Sequence, residues 1–353
     1  MIKVLQIIDG QIYGGIYEIM LRIEENIKDV EFNYLSSVKV YNSKKSFDLN
    51  IDRKTIKGRI IYNIRLYKFL KNYKYDIVHI SSGAFFFTFF CLITCKLAGI
   101  KKIIVHSRNT PKINKLKKII IKLLNPIYRK LTNVHLACSK EAAKSLFTKT
   151  DDVIILKNGI DTNKYKYNEQ TRNEYRKQLN IENKVVYGNV GRISKQKNHD
   201  FLIDLFNEIQ KVQDSVLLLV GTGQLEEYIK EKVKKLNIED KVIFLGFRKD
   251  IDKLLNAMDM FIFPSLYEGF GNAVIESLTS GLPTFVSTGI PEEANISNNF
   301  HRINSYNIDD WKKQILNTKL NNRKNAYKET IKSGYDIKET SKKLEQIYKD
   351  LIK

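Results

Sequence analysis

The chain alternates short apolar runs with longer amphipathic runs, and this alternation limits the possible folds more than any other feature. In the first half, strand-length runs cover residues 3–8, 32–36, 77–80, 102–106 and 134–137. Runs with helical spacing lie between them, at residues 16–27, 60–72, 84–97, 112–131 and 140–147. Strands that alternate with helices predict a parallel, doubly wound α/β sheet.

The same alternation starts again in the second half. Strands are predicted at residues 185–190, 215–220, 241–245, 260–263 and 283–286, with helices at 201–212 and 225–236. Beyond residue 298 the chain is charged and helical in pattern, with helices at 308–319, 322–333 and 338–353. A polar stretch that ends at Arg172 is typical of a linker. With 353 residues, two α/β domains are expected.

Composition indicates a globular protein of a reducing compartment. The chain is 43% hydrophobic and 28% charged, and its three cysteines show no CxxC spacing. The first apolar run is strand-length and meets Asp9 at once, so no signal peptide is predicted. The longest apolar stretch, residues 84–95, is too short to span a bilayer and predicts a buried helix. We therefore expect a cytoplasmic protein.

A net charge of +21 favours a polyanionic partner, either nucleic acid or an anionic membrane. No helix-turn-helix, RRM, KH or zinc motif supports nucleic acid. The predicted helix 112–131 has lysines around one apolar face, which comprises Ile113, Leu116, Ile119, Ile120, Leu123, Leu124 and Ile127. Such a helix can pack on a core with its lysines in solvent, or lie in an anionic membrane surface. Both alternatives stay open.

Residues 264–276 form the stretch that most suggests a ligand site. A predicted strand passes through Glu268-Gly-Phe-Gly271 into a helix that opens at Asn272, a candidate N-cap. Glycines let the backbone approach a ligand, and a helix N-terminus attracts an anion. Two carboxylates, Glu268 and Glu276, flank that position. Similar turns are often only structural, so the motif alone leaves both readings open.

Other loops that follow predicted strands carry glycines and cations. Gly191-Arg192 leads to Lys197, and Gly221-Thr-Gly223 and Gly246-Phe-Arg248 follow the next two strands. Because such loops meet at one edge of a parallel sheet, they could converge on a diphosphate. Arginine offers a fork that suits phosphate, and lysine offers a point charge.

The first half has fewer features of this kind. Tyr13-Gly14-Gly15 follows the first strand but is not a GxGxxG fingerprint. His79 and His106 are predicted near the ends of strands, where a lone histidine is usually a hydrogen-bonded structural residue. His106-Ser-Arg-Asn109 places four polar side chains directly after a buried strand, so His106 is a candidate for chemistry.

Taken together, these motifs resemble glycosyltransferase family 4, the retaining GT-B sugar-nucleotide transferases. The resemblance lies in motifs that occur in the family's order: Gly191-Arg192 with Lys197-Asn198, Gly221-Thr-Gly223, Phe244-Leu-Gly-Phe247, and Glu268 with Glu276 in an E-x7-E motif. Tyr13-Gly14-Gly15 and Asn158-Gly-Ile-Asp161 extend it to the first half. It is strongest toward bacterial capsule and exopolysaccharide transferases.

The resemblance implies a GT-B fold, two Rossmann-like domains facing a cleft, with C-terminal helices. Residues 1–160 would bind the acceptor, residues 161–335 would bind the nucleotide sugar, and residues 336–353 would return to the first domain. The implied donor is UDP-linked, with no cofactor or metal. The implied acceptor is a lipid-linked glycan at the inner face of the cell membrane, and nucleic acid is not an implied partner.

The resemblance also implies roles for individual residues. Arg192 and Lys197 would bind the donor diphosphate, Glu276 the ribose, and Glu268 the hydroxyls of the donor sugar. The donor would also meet the backbone or loops at Gly15, Phe247, Phe270, Gly271, Asn272 and Ala273. Many relatives carry a second histidine where this chain has Ser81 or Arg108, so His106 alone is retained as a catalytic candidate on the acceptor side.

These implications predict a hexosyl transfer with retention at the anomeric carbon, from a nucleotide sugar to a lipid-linked oligosaccharide. Three alternatives remain. A sugar-nucleotide epimerase or a phosphorylase could share the fold. An inactive partner subunit of a paired transferase could keep the motifs. A basic nucleic-acid-binding protein would account for the charge but not for the motifs.

Overall fold

The computed structural model describes residues 1–9, 15–36, 46–49, 51, 53, 55–108, 114–320 and 322–353. The chain forms two compact units. The first unit contains Met1–Gly159 and also Ile337–Lys353, and the second contains Ile160–Asp336. Each unit is built on its own sheet, in which every paired strand is parallel. The predicted α/β class is therefore confirmed.

The first unit has a seven-stranded sheet. Its strands are β1 (Ile2–Ile8), β2 (Val30–Ser36), β3 (Ser46–Asp48), β4 (Ile77–Ser82), β5 (Lys102–Ser107), β6 (Val134–Ala137) and β7 (Ile154–Ile155). Its helices up to residue 159 are α1 (Gly15–Glu24), α2 (Ile56–Asn72), α3 (Phe85–Leu97), α4 (Lys115–Leu131) and α5 (Lys140–Leu146). The strand order β3-β2-β1-β4-β5-β6-β7 reverses direction between β1 and β4.

The second unit has a six-stranded sheet. Its strands are β8 (Val185–Val190), β9 (Ser215–Val220), β10 (Val242–Gly246), β11 (Met260–Phe263), β12 (Thr284–Ser287) and β13 (Phe300–Ile303). Its α-helices are α6 (Glu169–Gln178), α7 (His199–Gln210), α8 (Glu226–Lys235), α9 (Ile251–Ala257), α10 (Asn272–Thr279), α11 (Ile308–Asn317) and α12 (Tyr327–Lys332). The order β10-β9-β8-β11-β12-β13 reverses between β8 and β11. Ligands of doubly wound sheets bind at the carboxyl end of such a reversal.

The last helix, α13 (Ile337–Ile352), completes the first unit. It packs with α1 over one face of the sheet, where Leu344 and Tyr348 are fully buried. The Tyr348 hydroxyl accepts a hydrogen bond from Gln6 of β1 (2.9 Å) and lies 2.7 Å from Nδ1 of His79 in β4. The C-terminal helix is thus part of the core of the first unit, since it both buries apolar surface and satisfies polar groups of the sheet.

Two parts of the sequence prediction are wrong. The polar stretch that was predicted as a linker contains the start of α6, where the side chain of Asn168 caps the helix by accepting from the N–H of Thr171. Residues 300–303 form the edge strand β13, in a region predicted to be helical. Neither element has a clear apolar repeat, since α6 is nearly all polar and β13 contains His301 and Arg302.

The helix predicted at residues 112–131 is present as α4, although Lys112 and Ile113 lie outside the described residues. Its core side carries Ile121, Asn125 and Tyr128, which are buried. Leu116, Ile119, Leu123 and Ile127, which belong to the predicted apolar face, point outward and are exposed. The helix therefore packs on the core with its lysines in solvent, as one alternative predicted, but only part of the predicted apolar face takes part in that packing.

The buried helix predicted for the apolar stretch 84–95 is confirmed, since α3 is largely buried. Cys91, Cys95 and Cys138 are buried and form no disulfide. Trp311, the single tryptophan, is fully buried in the core of the second unit and donates to the carbonyl of Ser305 (2.7 Å). Within the described part of the chain, no helix combines the length and hydropathy needed to cross a membrane.

Candidate active site

The candidate site lies in the second unit, at the reversal between β8 and β11. The loop after β8 carries Lys197 on a short 3₁₀ helix, Lys195–Lys197, and the loop after β11 carries Glu268. Lys197 Nζ lies 2.8 Å from Glu268 Oε1, and the two side chains are only 18% and 9% exposed. The ammonium also lies 4.4 Å from the ring centroid of Phe263. The structure therefore brings two of the predicted catalytic residues together.

Backbone hydrogen bonds hold these two loops in place. The N–H of Leu266 donates to the carbonyl of Gln196 (2.8 Å), and the side-chain amide of Gln196 donates back to the carbonyl of Tyr267 (2.9 Å). Asn198 adopts a left-handed conformation (φ 57°) and donates to the carbonyl of Pro264 (3.3 Å). The sequence motif contained Asn198, but the role of Gln196 was missed because it depends on contacts between distant loops.

Gly289, after β12, supports the loop that carries Glu268. Its carbonyl accepts a hydrogen bond from the N–H of Glu268 (2.9 Å). A Cβ at this position would lie 2.3 Å from the carbonyl oxygen of Ser265, so a larger residue would displace the loop. The sequence analysis did not single out Gly289, although a glycine shortly after a predicted strand was the available signal.

Helix α10 begins directly beside this pair of charges. Gly271, and not Asn272, is its N-cap, with a left-handed backbone (φ 87°) that only glycine adopts easily. Glycine has no side chain that could cap the helix, and the N-terminus carries the positive end of the helix dipole, which favours an anion. Asn272 and Ala273 occupy the first two helical positions and are partly exposed, whereas Glu276 is buried one turn further on.

Phe270 lies directly before the N-cap residue Gly271. Its side chain is buried and stacks on the ring of Tyr335, with ring centroids 5.1 Å apart. The packed ring fixes the chain immediately before Gly271. The predicted contact through the backbone N–H of Phe270 is therefore compatible with the structure and remains a prediction.

The glycines after β9 serve the packing of one loop against another. A Cβ on Gly221 (φ 132°) would lie 2.1 Å from the carbonyl oxygen of Gly191, and a Cβ on Gly223 would lie 2.1 Å from that of Ile193. The N–H of Gly221 also donates to the carbonyl of Gly246 (2.8 Å). These contacts bring the loops after β8, β9 and β10 to one edge of the sheet, as predicted.

Arg192 and Phe247 are the exposed members of the predicted set. Arg192 has no ion pair or side-chain hydrogen bond within the described ranges, and its side chain points to solvent. Phe247 is 54% exposed after β10. The neighbouring Arg248 is held by both oxygens of Asp250, at 2.8 and 2.6 Å, and this pairing keeps the pKa of Asp250 well below its usual value.

The arrangement can stabilise negative charge that develops on a leaving group. Lys197, the exposed Arg192 and the N-terminus of α10 are all positive, and Glu268 is the carboxylate partner of Lys197. Preorganised positive groups of this kind are worth most where water is largely excluded. A diphosphate is the ligand that such a set of charges fits.

His106 and Gly15 lie in the first unit. Gly15 is the first residue of α1, and Tyr13 and Gly14 before it lie outside the described residues. His106 is fully buried within β5, with its ring stacked on His79 at a centroid distance of 5.4 Å. His106 is the next-to-last residue of β5, near the strand end as predicted, whereas His79 lies in the middle of β4. The catalytic role of His106 remains a prediction, but its ring is enclosed in this conformation.

Burial keeps both histidines neutral. Burial, and then the charge of Arg108, hold the pKa values of His79 and His106 well below 6.5. Burial also lowers the pKa of Arg108 to about 10, and this side chain donates to Asn158 Oδ1 (2.5 Å). Arg108, one of the two positions at which the resemblance implies a second histidine, is therefore a buried, hydrogen-bonded arginine.

The neutral histidines predict that acid destabilises the first unit. Because the folded pKa values lie below the unfolded value of about 6.5, the unfolded chain binds more protons as the pH falls below that value. Each histidine should then cost about 1.4 kcal/mol of unfolding free energy per pH unit. Urea unfolding at pH 7 and pH 5.5, followed by circular dichroism, should show the loss. The His79→Gln/His106→Gln double variant should show a smaller loss, and an equal loss would contradict the account.

The chain is similar in sequence to known proteins. Residues 171–337, nearly all of the second unit, match the family model described as glycosyl transferases group 1. The chain is 28% identical over 312 residues to the UDP-Gal:alpha-D-GlcNAc-diphosphoundecaprenol alpha-1,3-galactosyltransferase of Escherichia coli. That match covers 82% of this chain and 79% of the relative. The family match and the names of such relatives support a glycosyltransferase.

Solved structures show the same fold. The crystal structure of Anabaena Alr3699/HepE in complex with UDP and glucose matches 99% of this chain and 100% of its own, with a TM-score of 0.81 and 17% identity. WaaG, a glycosyltransferase involved in lipopolysaccharide biosynthesis, matches 98% of this chain and 95% of its own, with a TM-score of 0.67 and 16% identity. The fold is therefore of the GT-B type.

Proposed function

We propose that the protein is a retaining glycosyltransferase that transfers a hexosyl unit from a UDP-sugar to a lipid-linked oligosaccharide in capsule or exopolysaccharide synthesis. The observation that carries the proposal is the Lys197–Glu268 pair at the strand reversal, beside the N-terminus of α10. The second unit would bind the donor and the first unit the acceptor.

The names of relatives support the choice of substrates. The Escherichia coli relative is named for a UDP-galactose donor and a diphosphoundecaprenol-linked acceptor. A Campylobacter jejuni relative that is 39% identical over 89 residues is also named for a diphospho-undecaprenol-linked substrate. A lipid-linked acceptor implies that the protein works at the cytoplasmic face of the membrane.

The proposed reaction needs no metal and no enzymic base. The bond between the anomeric carbon and the donor phosphate oxygen breaks while the acceptor oxygen bonds to the same face of that carbon. The departing phosphate oxygen takes the proton of the acceptor hydroxyl. Lys197, Arg192 and the N-terminus of α10 offset the charge that develops on the diphosphate, and Glu268 orients the sugar hydroxyls.

Product analysis tests this proposal. The protein is incubated with UDP-glucose, UDP-galactose or UDP-N-acetylglucosamine, with and without a synthetic undecaprenyl diphosphate-linked sugar. One donor should release UDP only when the acceptor is present, and the anomeric coupling constant of the product should match that of the donor. Conversion of a donor in the absence of acceptor would indicate an epimerase and overturn the assignment as a transferase. A product with the inverted anomeric configuration would overturn the assignment of retention.

A further inference from the structure

Three neighbouring helices of the first unit lack acidic side chains altogether. Helices α2, α3 and α4 lie on one face of the sheet, with α3 packed against both of the others. None of them contains Asp or Glu, and their basic residues are Lys57, Arg59, Arg65, Lys68, Lys71, Lys96, Lys115, Lys117, Lys118, Lys122, Arg129 and Lys130. Helices α1 and α13, on the opposite face, have no net charge, since their acidic residues (Glu18, Glu24, Glu339, Glu345 and Asp350) are matched in number by basic ones (Arg22, Lys338, Lys342, Lys343 and Lys349). The positive charge of this unit is therefore concentrated on one side.

The outer side of α4 is apolar. Leu116, Ile119, Leu123 and Ile127 are between 53% and 71% exposed. Spacings of three and four residues place them along one line of the helix, opposite the buried Tyr128. The helix thus presents apolar side chains both to the core and away from it, which packing within the unit does not explain.

The neighbouring helices continue this surface. Ile56, Ile60 and Ile64 of α2 are each more than half exposed at spacings of four residues. Helix α3 adds Phe90 and Leu97, which are 50% and 69% exposed. Soluble monomers rarely expose apolar side chains in such a group, and a large exposed patch marks a binding surface. We call the outer side of α2, α3 and α4 the basic apolar face.

Charge complementarity identifies the occupant of this face. Lys115, Lys117, Lys118 and Lys122 are exposed, and none of them forms an ion pair with a residue that the structure describes. Nucleic acid would match the lysines but would leave the aliphatic side chains in water. A bilayer with anionic lipids matches both, because aliphatic groups enter the boundary between headgroups and acyl chains while lysines reach the phosphates.

We propose that the basic apolar face docks on an anionic lipid bilayer, with Leu116, Ile119, Leu123 and Ile127 inserted at the headgroup level. The proposal deepens the proposed function, since the choice of a lipid surface rests in part on a lipid-linked acceptor. Because docking is measured without substrates, its failure is distinct from a failure of sugar transfer.

Vesicle sedimentation tests the proposal with the full chain. Wild-type protein should bind vesicles of phosphatidylcholine and phosphatidylglycerol at low salt, and bind pure phosphatidylcholine vesicles at least tenfold more weakly. Two variants address the face: L116S/I119S/L123S/I127S removes the apolar line, and K115Q/K117Q/K118Q/K122Q removes the charge. Each should weaken binding to the mixed vesicles at least tenfold.

A matched control removes the same charge from the other unit. K234Q/K235Q/K313Q/K319Q changes four exposed lysines of the second unit and should bind vesicles within about twofold of wild type, because these side chains lie outside the proposed surface. All the variants alter exposed side chains, so circular dichroism should match that of wild type.

The outcomes separate docking on a bilayer from other roles. If wild-type protein did not bind the mixed vesicles at low salt, the proposal would be overturned. It would also be overturned if the control variant lost as much vesicle binding as the two variants of the face. If the serine variant binds vesicles as well as wild type does, and only the glutamine variant binds them more weakly, the face would be a general polyanion surface, such as one for nucleic acid. A serine variant that loses self-association in sedimentation, but not vesicle binding, would assign the face to a protein partner. Either result would contradict docking on a bilayer.

Discussion

Lys197→Ala should lower the rate of sugar transfer by roughly 10²-fold or more, the scale for losing one preorganised electrostatic contact. The ammonium lies at the strand reversal, is mostly buried, and has Glu268 as its partner at 2.8 Å. Its charge therefore acts where water screens it little. Release of UDP from saturating donor in the presence of acceptor is the measurement. Arg192→Ala should show a loss of the same order, since both cations would face the diphosphate.

Two controls separate chemistry from folding. Lys195→Ala changes an exposed lysine of the same 3₁₀ helix and should leave the rate near that of wild type. Lys197→Ala also leaves the Glu268 carboxylate partly buried without its cation, so the Lys197→Ala/Glu268→Gln double variant should regain stability but not rate. Turnover at the wild-type level in both Lys197→Ala and Arg192→Ala would refute the assignment.

Asp259→Ala should destabilise the second unit by about 3–5 kcal/mol, the scale for breaking a buried ion pair. Asp259, just before β11, is 7% exposed and pairs with both Arg172 and Arg176 of α6. Its carboxylate also accepts from the backbone N–H of Val186 in β8 (2.8 Å). The residue thus joins α6 to the starts of the two strands whose ends carry Lys197 and Glu268.

Trp311 offers a probe for this prediction. As the single tryptophan, buried in the second unit, its fluorescence reports urea unfolding of that unit alone. Asp240→Asn, an exposed aspartate of the same unit, should change the unfolding free energy by no more than about 0.5 kcal/mol. If Asp259→Ala changed the unfolding free energy as little as Asp240→Asn, the ion pairs of Asp259 with Arg172 and Arg176 would add little to stability.

Much of the fold could be predicted because apolar patterning follows burial. The strands Val185–Val190, Ser215–Val220 and Met260–Phe263 agree with the prediction at both ends, since each contains a continuous run of buried residues. Elements whose apolar and polar residues do not alternate clearly were missed. Helix α6 depends on its cap and on the arginines that hold Asp259, and edge strand β13 is half-exposed. Tertiary contacts, not local pattern, decide such elements.

The candidate site was only partly predictable. The residue types of Lys197 and Glu268 indicated phosphate and sugar chemistry, but their ion pair joins positions 71 residues apart and depends on how two loops pack. The supporting carbonyl of Gly289 belongs to a third loop with no motif of its own. The apolar face of α4 was predicted as a face, but its direction depends on which side of the helix Ile121 and Tyr128 bury.

Lys197 is proposed to bind the diphosphate of the donor, and calorimetric titration with UDP measures this interaction. Wild type and Lys195→Ala should bind UDP with equal affinity, and Lys197→Ala should bind it at least about tenfold more weakly, as expected for losing a hydrogen bond to a charged group. The affinities of wild type and Lys197→Ala for UMP, which lacks the second phosphate, should differ less than their affinities for UDP. Equal affinity of wild type and Lys197→Ala for UDP would contradict the account.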